Sequence, residues 1–183
     1  MTLSVAENPP PYCPVGIFGA EIGDGASSWV ALRTKPRHEK ALAWDLKHRG
    51  IGYYLPLLGR PQKSKNRVRY SLCPLFDGYL FLRGSTDDRR LALQTGLVLQ
   101  VLRVADQERF GRELCGIVTA IAARPVALCR SPTAGQRVQI VRGPLAGLEG
   151  VVLRSRAGQR LVLQLAAIQQ AIRVDLSVDD VSA

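Results

Sequence analysis

The chain has 183 residues, 46% of them hydrophobic and 22% charged, a balance that excludes wholesale disorder and supplies ordinary core material for one large domain or two small ones. Its formal charge of +10 is concentrated. Between Arg33 and Tyr70 eleven Lys or Arg stand against two acidic residues, Glu39 and Asp45, a local net of +9, and such focusing attracts phosphates or acidic protein surfaces.

Four cysteines, Cys13, Cys73, Cys115 and Cys129, are widely spaced and form no C-x-x-C pair, which argues against a zinc ribbon or a redox motif. The expectation is reduced thiols, no metal and no cofactor. No apolar run is long enough to span a bilayer. The N-terminus has Glu7 and Pro9-Pro10-Pro11 where a signal peptide needs a basic start and an apolar core, so a cytoplasmic protein without a membrane partner is expected.

Residues 1–28 are rich in Pro, Gly and Ala without a sustained period, and are expected to be a flexible extension. Trp29 to Arg33 reads as a strand. Thr34 to Pro36 offers a helix start, with Pro where a missing N–H costs least, and Gly50 a stop. On that helix Leu42, Ala43 and Leu46 form a core stripe. Arg37, Lys40, Trp44, Lys47 and His48 follow helical steps on another side, so one face is core and the other basic.

Gly52 to Leu58 reads as a strand, followed by a basic loop with Arg60, Lys63, Lys65 and Arg67, then a strand around Val68 to Leu72. After a turn at Pro74 to Gly78, Tyr79 to Arg83 is a strand whose alternation puts Tyr79 and Phe81 on one face, as core or as an exposed anchor. A second helix runs from a Thr86 cap to a Gly96 stop, with Asp87 and Asp88 suiting its dipole. Leu97 to Val104 is a strand. Asp106 to about Ala122 is amphipathic, with Phe110, Leu114, Ile117, Val118 and Ile121 in helical spacing.

This order predicts an α+β domain at residues 29–123, helices packed on an antiparallel sheet. Residues 124–134, with Pro125, Ser131, Pro132 and Thr133, have linker composition. Residues 135–183 carry many short strand signals: Arg137 to Val141, a Gly143-Pro144 turn, Val151 to Leu153, Leu161 to Leu165, Ile172 to Val174, and Val178 with Val181. A small β-barrel is expected there. Leu161, Leu165, Ile168 and Ile172 also satisfy a helical period, so an α-hairpin is the alternative for this module.

Two blocks carry a resemblance. Trp29 to Lys40 (WVALRTKPRHEK) with Pro74 to Leu82 (PLFDGYLFL) resembles the NusG N-terminal domain, and Gly135 to Val138 with Gly143 to Val152 (GPLAGLEGVV) resembles a KOW module. The ordered pair across a linker is similar to NusG-type transcription elongation factors, in particular the specialised RfaH-like ones. The resemblance implies a monomeric factor whose N-terminal domain docks on the clamp helices of the largest subunit of bacterial RNA polymerase, and whose KOW module meets a ribosomal protein or Rho. It implies suppression of pausing or termination.

It maps polymerase docking onto Tyr79 and Phe81, where exposed aromatics would anchor a partner helix. It maps contact with the non-template DNA strand onto the basic helix, where Lys35, Arg37, His38, Lys40, Trp44, Lys47 and His48 offer phosphate contacts and a stacking surface. Asp77 departs from the family pattern, as do Asp87-Asp88-Arg89-Arg90 and, within the basic face, Asp45. A KOW-containing ribosome- or RNA-binding protein is the alternative reading. An enzyme is not expected. Both histidines lie on the basic helix, the adjacent carboxylates diverge, and no Gly-Lys-Ser/Thr follows the glycines from Gly143 to Gly150.

Overall fold

The computed structural model describes residues 8–18, 27–64, 67–123, 126–129, 136–140, 145–155 and 158–175. The chain divides into two compact units, Met1–Gln107 and Glu108–Ala183.

The first unit is built on an antiparallel sheet in which the strands β1 (Tyr12–Cys13), β2 (Ser28–Thr34), β3 (Gly52–Tyr54), β6 (Tyr79–Gly84) and β7 (Val98–Arg103) lie in the order β1-β3-β6-β2-β7. Register assigns the faces. Trp29 opposes Arg83, Ala31 opposes Phe81 and Arg33 opposes Tyr79 across β2 and β6, while Tyr54 opposes Phe81 across β3 and β6. Because side chains alternate along a strand, Trp29, Ala31, Tyr54, Phe81 and Arg83 share one face, and Val30, Leu32, Leu80, Leu82 and Tyr53 share the other.

The second face carries the helices. It forms one cluster with Leu42, Ala43 and Leu46 of helix α1 (Glu39–His48) and Ala92 of helix α2 (Thr86–Gln94). Leu42, Ala43 and Leu46 are fully buried, as their spacing anticipates. Each leucine contributes about 1.5–3 kcal/mol through area removed from water.

Several local expectations shift. Helix α1 begins at Glu39, not near Thr34, because the Thr34 and Lys35 amides donate to the Gly78 and Leu97 carbonyls and Arg37 takes a left-handed φ of 64°. Gly50, at φ 69°, terminates it, with the Gly50 and Ile51 amides closing on Lys47 and Leu46. The cap of α2 is Ser85, one residue before Thr86: its hydroxyl accepts from the Asp88 amide at 3.2 Å and the Asp88 carboxylate accepts from the Ser85 amide at 2.7 Å, a capping box.

The expected strand over Gly52 to Leu58 is interrupted at Leu55-Pro56. Beyond it, β4 (Leu57–Ser64) and β5 (Arg67–Pro74) pair as a separate two-stranded ribbon that takes in most of the expected basic loop. Lys65 lies outside the described residues.

Residues 8–18, expected within a flexible extension, are instead ordered against the sheet. Tyr12 and Cys13 pair with Tyr54 and Tyr53, the Leu55 amide donates to the Pro11 carbonyl, and Ile17 is buried. Residues 1–7 and 19–26 lie outside the description.

The second unit contains helix α3 (Gln107–Ala123), all but its first residue, and a five-stranded antiparallel sheet. Along α3 Phe110, Leu114 and Ile117 are buried as their spacing anticipates, while Val118 and Ile121 of the same expected row are half-buried and Ala120 is buried in addition. The helix was expected to close the first domain, yet it packs with the second unit: the Ala166 amide donates to Glu113, and Gly116 sits close under Leu148.

The sheet order is β8-β12-β11-β10-β9, from β8 (Val126–Cys129), β9 (Gln136–Gln139), β10 (Glu149–Ser155), β11 (Gly158–Leu165) and β12 (Gln170–Asp175). Strand β8 falls inside the segment expected as a linker. No pairing joins β8 to β9 among the described residues, so this is a small sheet without a shown barrel closure. The Leu161 to Ile172 segment is strand, one 3-10 turn and strand, not the alternative α-hairpin: in strand pairing Leu161, Leu163 and Leu165 alternate onto one buried face. Gly143-Pro144, Val178 and Val181 lie outside the described residues.

Candidate docking and nucleic-acid interface

The loop Thr34–His38 and helix α1 position the basic residues. Lys35, Arg37, His38, Lys47 and His48 are exposed, while Lys40 and Trp44 are half-buried. The loop is pinned at both ends. Thr34 is buried and held by Gly78, and buried Glu39 accepts a hydrogen bond from the Gly78 amide at 2.7 Å. Between these anchors Arg37 is held in the left-handed region, at a cost of about 1–2 kcal/mol for an L-residue, which the two anchors offset. His38 Nδ1 lies 2.8 Å from the Pro36 carbonyl oxygen, which orients the ring.

At the other end of α1, Trp44, Lys47 and His48 sit on one helical face. The Trp44 and His48 rings stack with centroids 5.8 Å apart and planes at 21°, and Lys47 Nζ lies 4.7 Å from the Trp44 ring centroid. A flat aromatic surface flanked by the Lys47 ammonium suits a nucleobase beside its phosphate.

Two expected contributors differ from the rest. Lys40 Nζ donates to the Leu72 carbonyl at 2.5 Å, so its ammonium is directed to the β5 backbone. Asp45 pairs with Arg49 at 2.8 Å, which offsets locally the negative charge that stood out within the basic face. The structure thus brings Trp44, Lys47 and His48 together as a group, with Lys35, Arg37 and His38 in the loop before the helix.

The two docking aromatics separate. Tyr79 is half-buried, at the end of β6 beside exposed Arg33. Phe81 has no exposed surface: it meets the Phe76 ring edge-on at 5.9 Å and the Tyr54 ring at 6.1 Å, so it is core and not the exposed anchor expected. Sequence reasoning missed Trp29 and Tyr54 on that same face, although β-strand alternation from Phe81 through its partners could have found them. Both are buried beneath the N-terminal segment, where Phe18 stacks on Trp29 at 5.8 Å and meets Tyr54 edge-on at 5.1 Å.

Among the described residues no three His, Cys, Asp or Glu side chains gather as metal ligands, and no helix is long and apolar enough to cross a membrane. Burial, and secondarily Cys13, push the Tyr53 hydroxyl far above the usual phenol range, and it stays a donor to the Pro10 carbonyl at 3.0 Å.

Residues 27–110 match the family model described as "Transcription termination factor nusG". No curated protein matches the chain. A solved structure described as "Domain interaction in Thermotoga maritima NusG" is similar to it at 17% identity and a TM-score of 0.48, over 87% of this chain and all of that one. Over residues 27–110, then, the chain is similar to the NusG family.

Proposed function

We propose that the protein is a non-catalytic transcription elongation factor of the RfaH-like kind. It binds the clamp helices of the largest subunit of RNA polymerase and suppresses pausing or termination. The observation that carries this reading is the NusG-family match over residues 27–110, which takes in the basic helix, β6 and both faces of the sheet. On β6, half-buried Tyr79 next to exposed Arg33 offers an amphipathic anchor for a partner helix that has acidic residues along its rim.

In the same reading the loop and helix from Lys35 to His48 contact the displaced non-template strand. Trp44 stacks on a base, and Lys35, Arg37, His38, Lys47 and His48 meet phosphates. Lys40 acts mainly by tying α1 to β5. The C-terminal sheet is the module that would meet a ribosomal protein or Rho, and the protein works as a monomer.

Retention of core RNA polymerase on the immobilised chain tests the reading. The chain is expected to retain polymerase, and Tyr79→Ala to lower the amount retained. A chain that retains ribosomes or structured RNA but no polymerase would overturn it in favour of a KOW-type RNA-binding protein.

A further inference from the structure

Arg37 stands on a turn whose backbone suits glycine. Its φ of 64° lies in the left-handed region, which is costly for an L-residue and open to glycine. The neighbouring residues are fixed. The Thr34 amide donates to the Gly78 carbonyl at 2.8 Å, the Lys35 amide to the Leu97 carbonyl at 2.9 Å and the His38 amide to the Lys35 carbonyl at 3.2 Å. On the far side of the turn the Glu39 carboxylate accepts from the Gly78 amide, and within it Pro36 pre-sets its own φ. The position of the Arg37 Cα is thereby set before any ligand arrives.

The side chain on this turn is uncommitted. Arg37 is exposed, and among the described residues its guanidinium has no hydrogen bond or ion pair, whereas Lys40 is directed to Leu72, Lys47 to the Trp44 ring and Arg49 to Asp45. A phosphate contact alone does not need such presentation. It tolerates a loosely held point charge, and exposed Lys35 in the same loop supplies one. A bidentate contact to a base edge is more demanding, because two parallel hydrogen bonds require the planar fork in one place and orientation. A pre-set backbone lowers the ordering cost of that contact, and the gain offsets the left-handed strain.

We propose that Arg37 reads a guanine of the single strand bound along α1. One edge of its guanidinium donates to O6 and N7 of the base, and a remaining N–H holds the neighbouring phosphate. The inference rests on the nucleic-acid reading given above and adds base selectivity to it. Guanine fits because O6 and N7 are two adjacent acceptors, whereas adenine sets a donor beside its N7 and a fork made only of donors cannot match it. In a single strand this edge is open to a side chain. Lys35 and Lys47 contribute contacts that any sequence can make, Trp44 stacks on any base, and Arg37 supplies the preference.

The test is fluorescence anisotropy of the full chain with thymine-only DNA strands of about twelve nucleotides, and with the same strand carrying one central guanine, adenine, cytosine or 7-deazaguanine. The RNA counterpart of the guanine strand is a further arm. The guanine strand is expected to bind about tenfold tighter than the thymine-only strand, and 7-deazaguanine, which keeps the ring and O6 but lacks the N7 acceptor, to lose most of that gain. Arg37→Lys keeps the charge but not the planar fork, so it is expected to bind the thymine-only strand within about twofold of the parent chain and to lose the guanine preference. Arg37→Gly suits the backbone of the turn and is expected to lose the preference together with some affinity. Thermal unfolding verifies the fold of each variant, and the 7-deazaguanine arm needs no variant.

Equal binding of the guanine and thymine-only strands, or a preference for another base, would overturn the proposal and leave single-strand binding standing. So would a guanine preference that survives Arg37→Lys or 7-deazaguanine, or one confined to the RNA counterpart. If the chain binds none of these strands, the nucleic-acid reading itself fails and the base contact falls with it.

Discussion

Trp44 is the side chain on which the nucleic-acid reading depends most. Its ring is half-buried on the helix, stacked by His48 and flanked by Lys47, so one surface is set and little rotamer freedom is left to lose on binding. Trp44→Ala is expected to weaken binding of a single-stranded DNA oligonucleotide about tenfold, within the roughly 1–3 kcal/mol per base that aromatic stacking contributes. Fluorescence anisotropy measures it, and an unchanged affinity would leave the helix with phosphate contacts only. Phe81 illustrates the opposite case. Alternation along β6 identified its face, but whether that face meets solvent depends on Tyr54, Phe76 and the N-terminal residues, which no local pattern along β6 reports. Tyr79, on the same face at the start of β6, keeps part of its ring in solvent.

At the scale of elements, helices were legible where their period was strong. The buried stripe Leu42, Ala43 and Leu46 and the α3 row Phe110, Leu114 and Ile117 follow from spacing alone. Their edges were not legible, because long-range hydrogen bonds decide them. The start of α1 is delayed by the Gly78 and Leu97 carbonyls, which claim the amides of Thr34 and Lys35. The cap of α2 moved back by one residue because Ser85 and Asp88 satisfy each other's groups while Thr86 enters the helix. Ser85→Ala removes an acceptor from the first turn and should cost about 1 kcal/mol in chemical denaturation. Thr86→Ala should cost much less. Equal effects of the two would place the cap wrongly.

The N-terminal segment and β8 were hidden for a related reason. Pro9-Pro10-Pro11 and Pro14 suppress any helical or strand period, yet Pro backbone pre-set near extended geometry lays Tyr12 and Cys13 along β3 at little entropic cost. Composition read this as a loose extension, although Phe18 and Ile17 were in plain view as apolar residues needing a surface. Val126 to Cys129 sits among linker-like residues and becomes a strand because β12 offers it an edge, with Ile172 opposite Leu128 and Val174 opposite Val126.

For the whole molecule, charge distribution was the most informative property of the sequence, and it predicts a salt response. If Lys35, Arg37 and Lys47 neutralise about three phosphates of a single strand, the logarithm of the binding constant should fall with the logarithm of salt concentration at a slope of roughly −2. Replacing Arg37 and Lys47 together with Gln should flatten that slope by about 1.4. A slope near zero in the parent chain would mean that the basic face is solvated and has no polyanionic partner.

The central proposal is that the domain containing residues 27–110 docks on RNA polymerase beside half-buried Tyr79. A titration of core polymerase with the full chain and with Tyr79→Ala, at one fixed salt concentration and with folding verified by thermal unfolding, tests it most directly. The full chain is expected to bind saturably, and Tyr79→Ala at least about tenfold more weakly, equivalent to about 1.4 kcal/mol. Saturable binding that is unchanged by Tyr79→Ala, or no binding by the full chain, would contradict it.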